Sequence, residues 1–240
     1  MLNKFELKPP FFQIVTMSYL FGDDVLSLAR AADAASKNYD VDVIFTAPIL
    51  DLRRVVEATE HIFVFAPHMD PIVPGRGIAD VLPESLVAAG AKGVVLNHSE
   101  KPLSLSVLTQ SIRRADEVGL ATIVFADAVA ESAAVAQLKP NIIVSEPIGL
   151  IGTGQTSDPE YISAAICAVK DVNPSIFVLQ GAGISNGRDV YRLIRAGAEA
   201  TGASSGIAKA SDKIAMVDEM IGAMRRAWDE RVVVVKQFDY

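Results

Sequence analysis

Ala121-Thr122-Ile123-Val124-Phe125-Ala126, then helical spacing over residues 127–138, then Ile142-Ile143-Val144-Ser145-Glu146, make up the unit from which the fold is read. The two outer runs are short, apolar and rich in β-branched residues, with little polar alternation, as parallel strands covered on both faces require. Strand, helix, strand is the repeat of a parallel sheet. The second strand ends in an acid, and Pro147, Gly149, Gly152 and Gly154 follow it. A carboxylate at a strand end, under a loop able to fold over it, is the arrangement of a proton-transfer site.

The same unit recurs in both directions along the chain. Further strands are expected at Phe12 to Met17, Val41 to Thr46, Ile62 to Ala66, Gly93 to Asn97, Ile176 to Gln180 and, by position more than by pattern, Glu199 to Ala203. Helical spacing covers Asp24 to Ser36, Pro83 to Ala89, Leu105 to Val118, Pro159 to Val169, Gly187 to Ala196 and Ser211 to Trp228. Asp158-Pro159, Ser185-Asn186-Gly187 and Ser211-Asp212 read as helix starts, and Gly119 and Gly197 stand where helices end. Eight strands in 240 residues predict an α/β chain closed into a single-domain (β/α)8 barrel, with its chemistry at the carboxyl ends of the strands. An open doubly wound sheet is the competing architecture, but no Gly-x-Gly-x-x-Gly turn follows the first strand, where a dinucleotide site needs one. The tail at about 231–240, Arg231-Val232-Val233-Val234-Val235-Lys236 onward, reads as strand-like.

The net charge of -7 and pI near 5.0 exclude the electrostatic footprint of a nucleic-acid or anionic-membrane binder. An anionic ligand must therefore be held locally, by backbone amides or a few cations. The single cysteine, Cys167, cannot form an internal disulfide and is expected as a small buried thiol. Residues 1–6 lack the apolar core of a signal peptide, and no run reaches the length of a membrane span, so the expected setting is cytoplasmic. No His, Asp or Glu pair has metal-ligand spacing on one element, and neither a metal nor another cofactor is expected. His61 reads as a strand-start residue, His68 as a buttress, and Trp228 as a packing anchor.

The polar residues at the expected strand ends decide the chemistry. The fourth strand ends in Asn97-His98-Ser99-Glu100 and the sixth in Glu146. A base and an electrophile are the pair needed to move a proton between carbons next to a carbonyl. The seventh ends in Gln180-Gly181-Ala182-Gly183-Ile184-Ser185 and the eighth in Ser204-Ser205-Gly206-Ile207-Ala208-Lys209. Glycine-rich turns after strands seven and eight are where barrel enzymes hold phosphate, because bare backbone amides approach its oxygens closely.

From Ala66 to Lys209 the chain resembles the triosephosphate isomerase family, in its compact archaeal form. The matching pieces are His68-x-Asp70-Pro71, Pro74-Gly75, Val81-Leu82-Pro83-Glu84, Asn97-His98-Ser99-Glu100, Glu146-Pro147, Leu150-Ile151-Gly152-Thr153-Gly154, Gly181-Ala182-Gly183-Ile184 and Ser205-Gly206. The resemblance implies a TIM barrel and an aldose-ketose isomerase acting through an enediolate on a small phosphorylated carbonyl substrate. The family pairs a glutamate base with a neutral histidine electrophile, so those roles come with the resemblance: Glu146 as base and His98 as electrophile, supported by Asn97 and Glu100. It also implies phosphate contacts from Gly152, Gly183, Ser205 and Gly206, a lid over Ile148–Thr153, and a homo-oligomer, dimer or tetramer.

The chain departs from the family at the first strand end. There the family carries Asn-x-Lys, its lysine the fixed cation of the site. Aligned through Ile14-Val15, this chain has Thr16 for the asparagine and Ser18 for the lysine, with no basic residue between Lys8 and Arg30. Arg76 and Lys101 are candidates to enter as substitute cations. Ile78-Ala79 stands where the compact family form has Thr-Gly, in a loop that crosses its subunit interface, and Pro67 replaces a glutamine. The readings are an isomerase of the same type with a related substrate, a triosephosphate isomerase with an altered site, and a non-catalytic sugar-phosphate-binding barrel with a regulatory or assembly role.

Overall fold

The computed structural model describes residues 6–150, 153 and 156–237. Strands β1 (Phe11–Val15), β2 (Asp42–Thr46), β3 (Ile62–Ala66), β4 (Gly93–Leu96), β5 (Ala121–Ala126), β6 (Ile142–Ser145), β7 (Phe177–Gln180) and β8 (Ala200–Ala203) pair in chain order. All pairs are parallel, and β8 returns to β1 with Phe11 opposite Ala200, closing the barrel. Around it run α1 (Asp23–Tyr39), α2 (Leu52–Glu57), α3 (Pro83–Ala88), α4 (Leu105–Val118), α5 (Val129–Ala136), α6 (Pro159–Lys170), α7 (Gly187–Arg195), α8 (Ser205–Ala208) and α9 (Lys213–Gln237).

The apolar strands are explained by their two faces. On β6, Ile142 and Val144 belong to the barrel interior with Phe11, Ile44, Phe65 and Leu179, whereas Ile143 packs outward under the helices. Side chains alternate across a strand, and here both faces meet apolar partners. The interior cluster plugs the barrel, with Phe11 and Phe177 meeting edge to face at 5.5 Å. Truncating a fully buried Phe such as Phe11 to Ala costs about 3–5 kcal/mol, and the same plug forms the floor under the strand ends.

Helix boundaries follow their capping residues. The side chains of Ser104, Asp158 and Asn186 accept from Val107, Tyr161 and Asp189 N–H, opening α4, α6 and α7. Gly119 ends α4 in the left-handed conformation at φ 79°. Two short helices have no counterpart among the expected ones: α2 with six residues and α8 with four.

Two expectations are corrected. The tail read as strand-like from residue 231 instead continues α9 to Gln237; residues 238–240 lie outside the described residues. Extending a formed helix adds a hydrogen bond per residue, which outweighs the few tenths of a kcal/mol that each β-branched residue costs. Arg231 fastens this stretch, donating to Ala198 O at 3.0 Å and stacking over Trp228. Cys167 is exposed rather than buried. The buried stripe of α6 is Ile162, Ala165 and Val169, and Cys167, two residues from each of the last two, falls on the opposite face.

Candidate active site

Glu146 continues the inward row of β6 one step beyond the strand. Its Oε1 accepts a 2.7 Å hydrogen bond from Ala182 N–H in the β7 turn. A Cβ at residue 181 would lie 2.9 Å from that same Oε1 and 3.0 Å from Glu146 Cδ, so Gly181 is what lets the carboxylate rest there. Burial pushes the carboxyl above the usual carboxylate range, and the Ala182 bond pulls it partly back.

His98 reaches the same mouth through a kink. Asn97 takes φ 56°, a left-handed conformation that asparagine tolerates better than most residues. Its Nδ2 donates to Phe125 O and its Oδ1 accepts from Leu103 N–H, both at 3.0 Å. Asn97 therefore braces the turn after β4 against β5. The His98 ring stands edge-on to Phe125, centroids 4.5 Å apart. Its Nδ1 accepts Glu100 N–H at 3.1 Å, so the neutral ring carries its proton on Nε2. Burial holds the imidazole below its usual pKa, against a weaker upward pull from the Glu100 charge.

Both residues border one cavity of about 470 Å³ at the carboxyl ends of the strands. Its wall on the other side comes from Gly183, Ser204, Ser205, Gly206 and Lys209, with Met17, Tyr19 and Glu100 also lining it. Gly206 packs so tightly on the β7 turn that a Cβ would meet Ile184 O at 2.3 Å, which keeps the two turns adjacent. The expected contact Gly152 lies outside the described residues, as do Ile151, Gly154 and Gln155; Ile148–Leu150 form a single 3-10 turn.

The end of β1 is arranged differently from its linear reading. Thr16 is buried, its Oγ1 donating to Thr46 O at 3.0 Å. Ser18 borders only a neighbouring crevice. Of the residues after β1, Met17, which adopts φ 50°, and Tyr19 border the cavity of Glu146 and His98. An alignment through the apolar run cannot register that backbone turn. Sequence reasoning also gave no role to Lys209, although it is the one basic residue in the stretches that follow β7 and β8 up to Ser211, apart from those inside α7.

The crevice beside the cavity has about 520 Å³ and shares Met17, His98 and Glu100 with it. Phe21, Ile49, Leu50, Val81 and Lys101 are among its other walls. His68 Nε2 sits 3.2 Å from Asp70 Oδ1, and Asp70 Oδ2 accepts Val81 N–H at 2.7 Å, so His68 buttresses the loop that runs over this crevice. Of the two candidate substitute cations, Lys101 lines the crevice only, and Arg76 lines neither. Among the described residues, no group of three or more His, Cys, Asp or Glu could hold a metal ion, and no helix is long and apolar enough to cross a membrane.

Residues 21–223 match the family model described as Triosephosphate isomerase. The chain belongs to the triosephosphate isomerase family. A relative named triosephosphate isomerase from Methanothermus fervidus is 38% identical over 206 residues, 85% of this chain and 92% of its own length. Those of Sulfurisphaera tokodaii and Methanocaldococcus jannaschii, with the same name, are 33% and 36% identical over 94% and 86% of this chain, and over 100% and 95% of their own lengths. Membership makes the chain an isomerase, and the closed eight-strand barrel is the fold that the motifs imply.

Proposed function

We propose that this protein interconverts an aldose and a ketose phosphate, glyceraldehyde 3-phosphate and dihydroxyacetone phosphate or a close relative, by proton transfer through an enediolate. The observation that carries this reading is Glu146 and His98 on one cavity, with the imidazole proton on the nitrogen not occupied by Glu100 N–H. His98 Nε2–H donates to the substrate carbonyl oxygen and draws charge onto it. Glu146 takes the proton from the carbon beside that carbonyl, and the electron pair moves to form the enediolate. Glu146 then returns the proton to the other carbon, while the hydroxyl proton passes by way of His98 to the former carbonyl oxygen, leaving the new carbonyl at the second oxygen. For a base, a pKa raised towards the working pH is an advantage, and burial supplies that shift.

The amides of Gly183, Ser205 and Gly206, with Gly152, are proposed to hold the phosphate. The stretch from Ile148 to Thr153 is proposed as the lid that excludes water and keeps the enediolate from losing phosphate. A barrel that only bound a sugar phosphate would need neither base nor electrophile, and their presence on one cavity favours chemistry. Met17 is the observation that favours an altered site: a preorganised cation is worth about 10² to 10³ in rate, and a thioether stands at that wall instead.

A homo-oligomer is part of the same reading. Val73 and Ile78 are 63% and 92% exposed on the loop after β3, and Phe21 and Leu50, at 78% and 94%, border the apolar crevice beside His98. Arg114 steadies that loop, donating to Ile72 O and pairing with Glu84 at 2.6 Å. A second copy's loop is proposed to cover the crevice. Ile78→Asp is then expected to move the protein toward monomer in sedimentation equilibrium and to lower turnover several-fold; an unchanged mass counts against this contact. The activity itself is tested with purified protein and glyceraldehyde 3-phosphate, coupled to reduction of dihydroxyacetone phosphate: turnover lost in Glu146→Gln supports the reading, and no turnover in the unmodified protein opposes it.

A further inference from the structure

We propose that Lys209 is the cation that holds the substrate phosphate in this site, taking over from the β1 end where Met17 stands. This rests on the reading that the substrate is phosphorylated. Among the described residues, Lys209 is the only Lys or Arg lining the cavity that contains Glu146 and His98. That cavity also carries Glu100, and the chain's net charge is -7. A phosphate dianion entering beside two carboxylates needs a nearby positive charge to offset their repulsion.

The placement of the ammonium supports that use. Its Nζ lies 5.4 Å from the Tyr19 ring centroid, a contact that positions the cation without neutralising it. It makes no ion pair with any described residue. Because β8 pairs with β1, the lysine, in the stretch after β8, stands next to the turn after β1 that carries Met17. The turn after β8 also presents Ser204, whose Oγ is buried without a hydrogen-bond partner among the described residues and which lines the same cavity. An orphaned hydroxyl, two neighbouring backbone amides and an unpaired ammonium on one wall form a donor set suited to a phosphate group.

The test is calorimetric titration of the full chain with inorganic phosphate, alongside turnover of glyceraldehyde 3-phosphate. Lys209→Met is expected to weaken phosphate binding about 10- to 100-fold, the range for a hydrogen bond to a charged group, and to raise KM. Lys209→Arg is expected to keep most of the affinity, and Lys101→Met, a change in the neighbouring crevice, to leave it unaltered. Circular dichroism establishes that each variant is folded. Unchanged phosphate affinity in folded Lys209→Met overturns the proposal, as does a wild-type protein that binds no phosphate. Phosphate binding that depends on Lys209, with no turnover, upholds the proposal and refutes the isomerase reading instead.

Discussion

The two sides of the barrel mouth differ in how they are held. On the β4 to β6 side, the base, the imidazole and their brace are each held by hydrogen bonds: Asn97 bridges Phe125 and Leu103, His98 Nδ1 receives Glu100 N–H, and Glu146 Oε1 receives Ala182 N–H. On the β8 to β1 side, Met17 contributes no charge, Ser204 Oγ has no described partner, and Lys209 touches only an aromatic face. The first side is preorganised before any ligand arrives, as electrostatic catalysis requires. The second side has donors whose partners a ligand would supply. On the proposed reading, the first wall sets the reaction type and the second the substrate.

Substitutions separate the two walls. Glu146→Gln, which keeps the shape and an acceptor for Ala182 N–H, is expected to cut kcat by about 10³, within the range for a positioned general base; a residual rate near wild type would remove Glu146 from the mechanism. His98→Gln is expected to cost about 10², the effect of one lost electrophilic donor, seen mainly in kcat with little change in KM. Met17→Lys is expected to raise kcat/KM for glyceraldehyde 3-phosphate about tenfold, because it returns a cation to the β1 wall. Unaltered kcat/KM there would show that the β1 wall no longer limits this enzyme.

The smallest expected effect concerns stability and pH. Burial raises the Glu146 pKa in the folded state, so the folded protein binds that proton more tightly than the unfolded chain. Ionisation of Glu146 therefore lowers stability as pH rises from the unfolded pKa through the folded one, and the cost is complete above the latter. Glu146→Gln removes that cost and is expected to raise Tm at neutral pH by about 2–4 °C, measured by scanning calorimetry, with the gain vanishing at acid pH. The rate should show an acid limb above the ordinary carboxylate range and no further limb from His98 at neutral pH, since burial keeps the imidazole neutral there.

Much of this was legible in the sequence. Most strands were readable because both faces are largely apolar and buried, with only isolated polar residues such as Gln13, Thr122 and Gln180 among them, and even the weak Ala200–Ala203 fell where the repeat required it. That His98 and Glu146 border one cavity was readable because a barrel collects its strand ends at one mouth. Other features depend on three-dimensional placement. The turn at Met17, with φ 50°, decides which residue after β1 enters the cavity, and a spacing argument chose Ser18. The helical end of α9 depends on propagation from a formed helix, which overrides the strand preference of Val232 to Val235. The contact of Lys209 with Tyr19 joins residues from opposite ends of the chain, and no local pattern records it.

The most direct test of the central claim, proton transfer by Glu146 at a carbon beside a carbonyl, is deuterium incorporation from D2O into glyceraldehyde 3-phosphate or dihydroxyacetone phosphate, followed by proton NMR. The unmodified protein is expected to place solvent deuterium on that carbon, and Glu146→Gln to leave it unlabelled. No incorporation above the uncatalysed rate into either triosephosphate or a related ketose or aldose phosphate, with inorganic phosphate still bound, would contradict the account and favour a barrel that only binds.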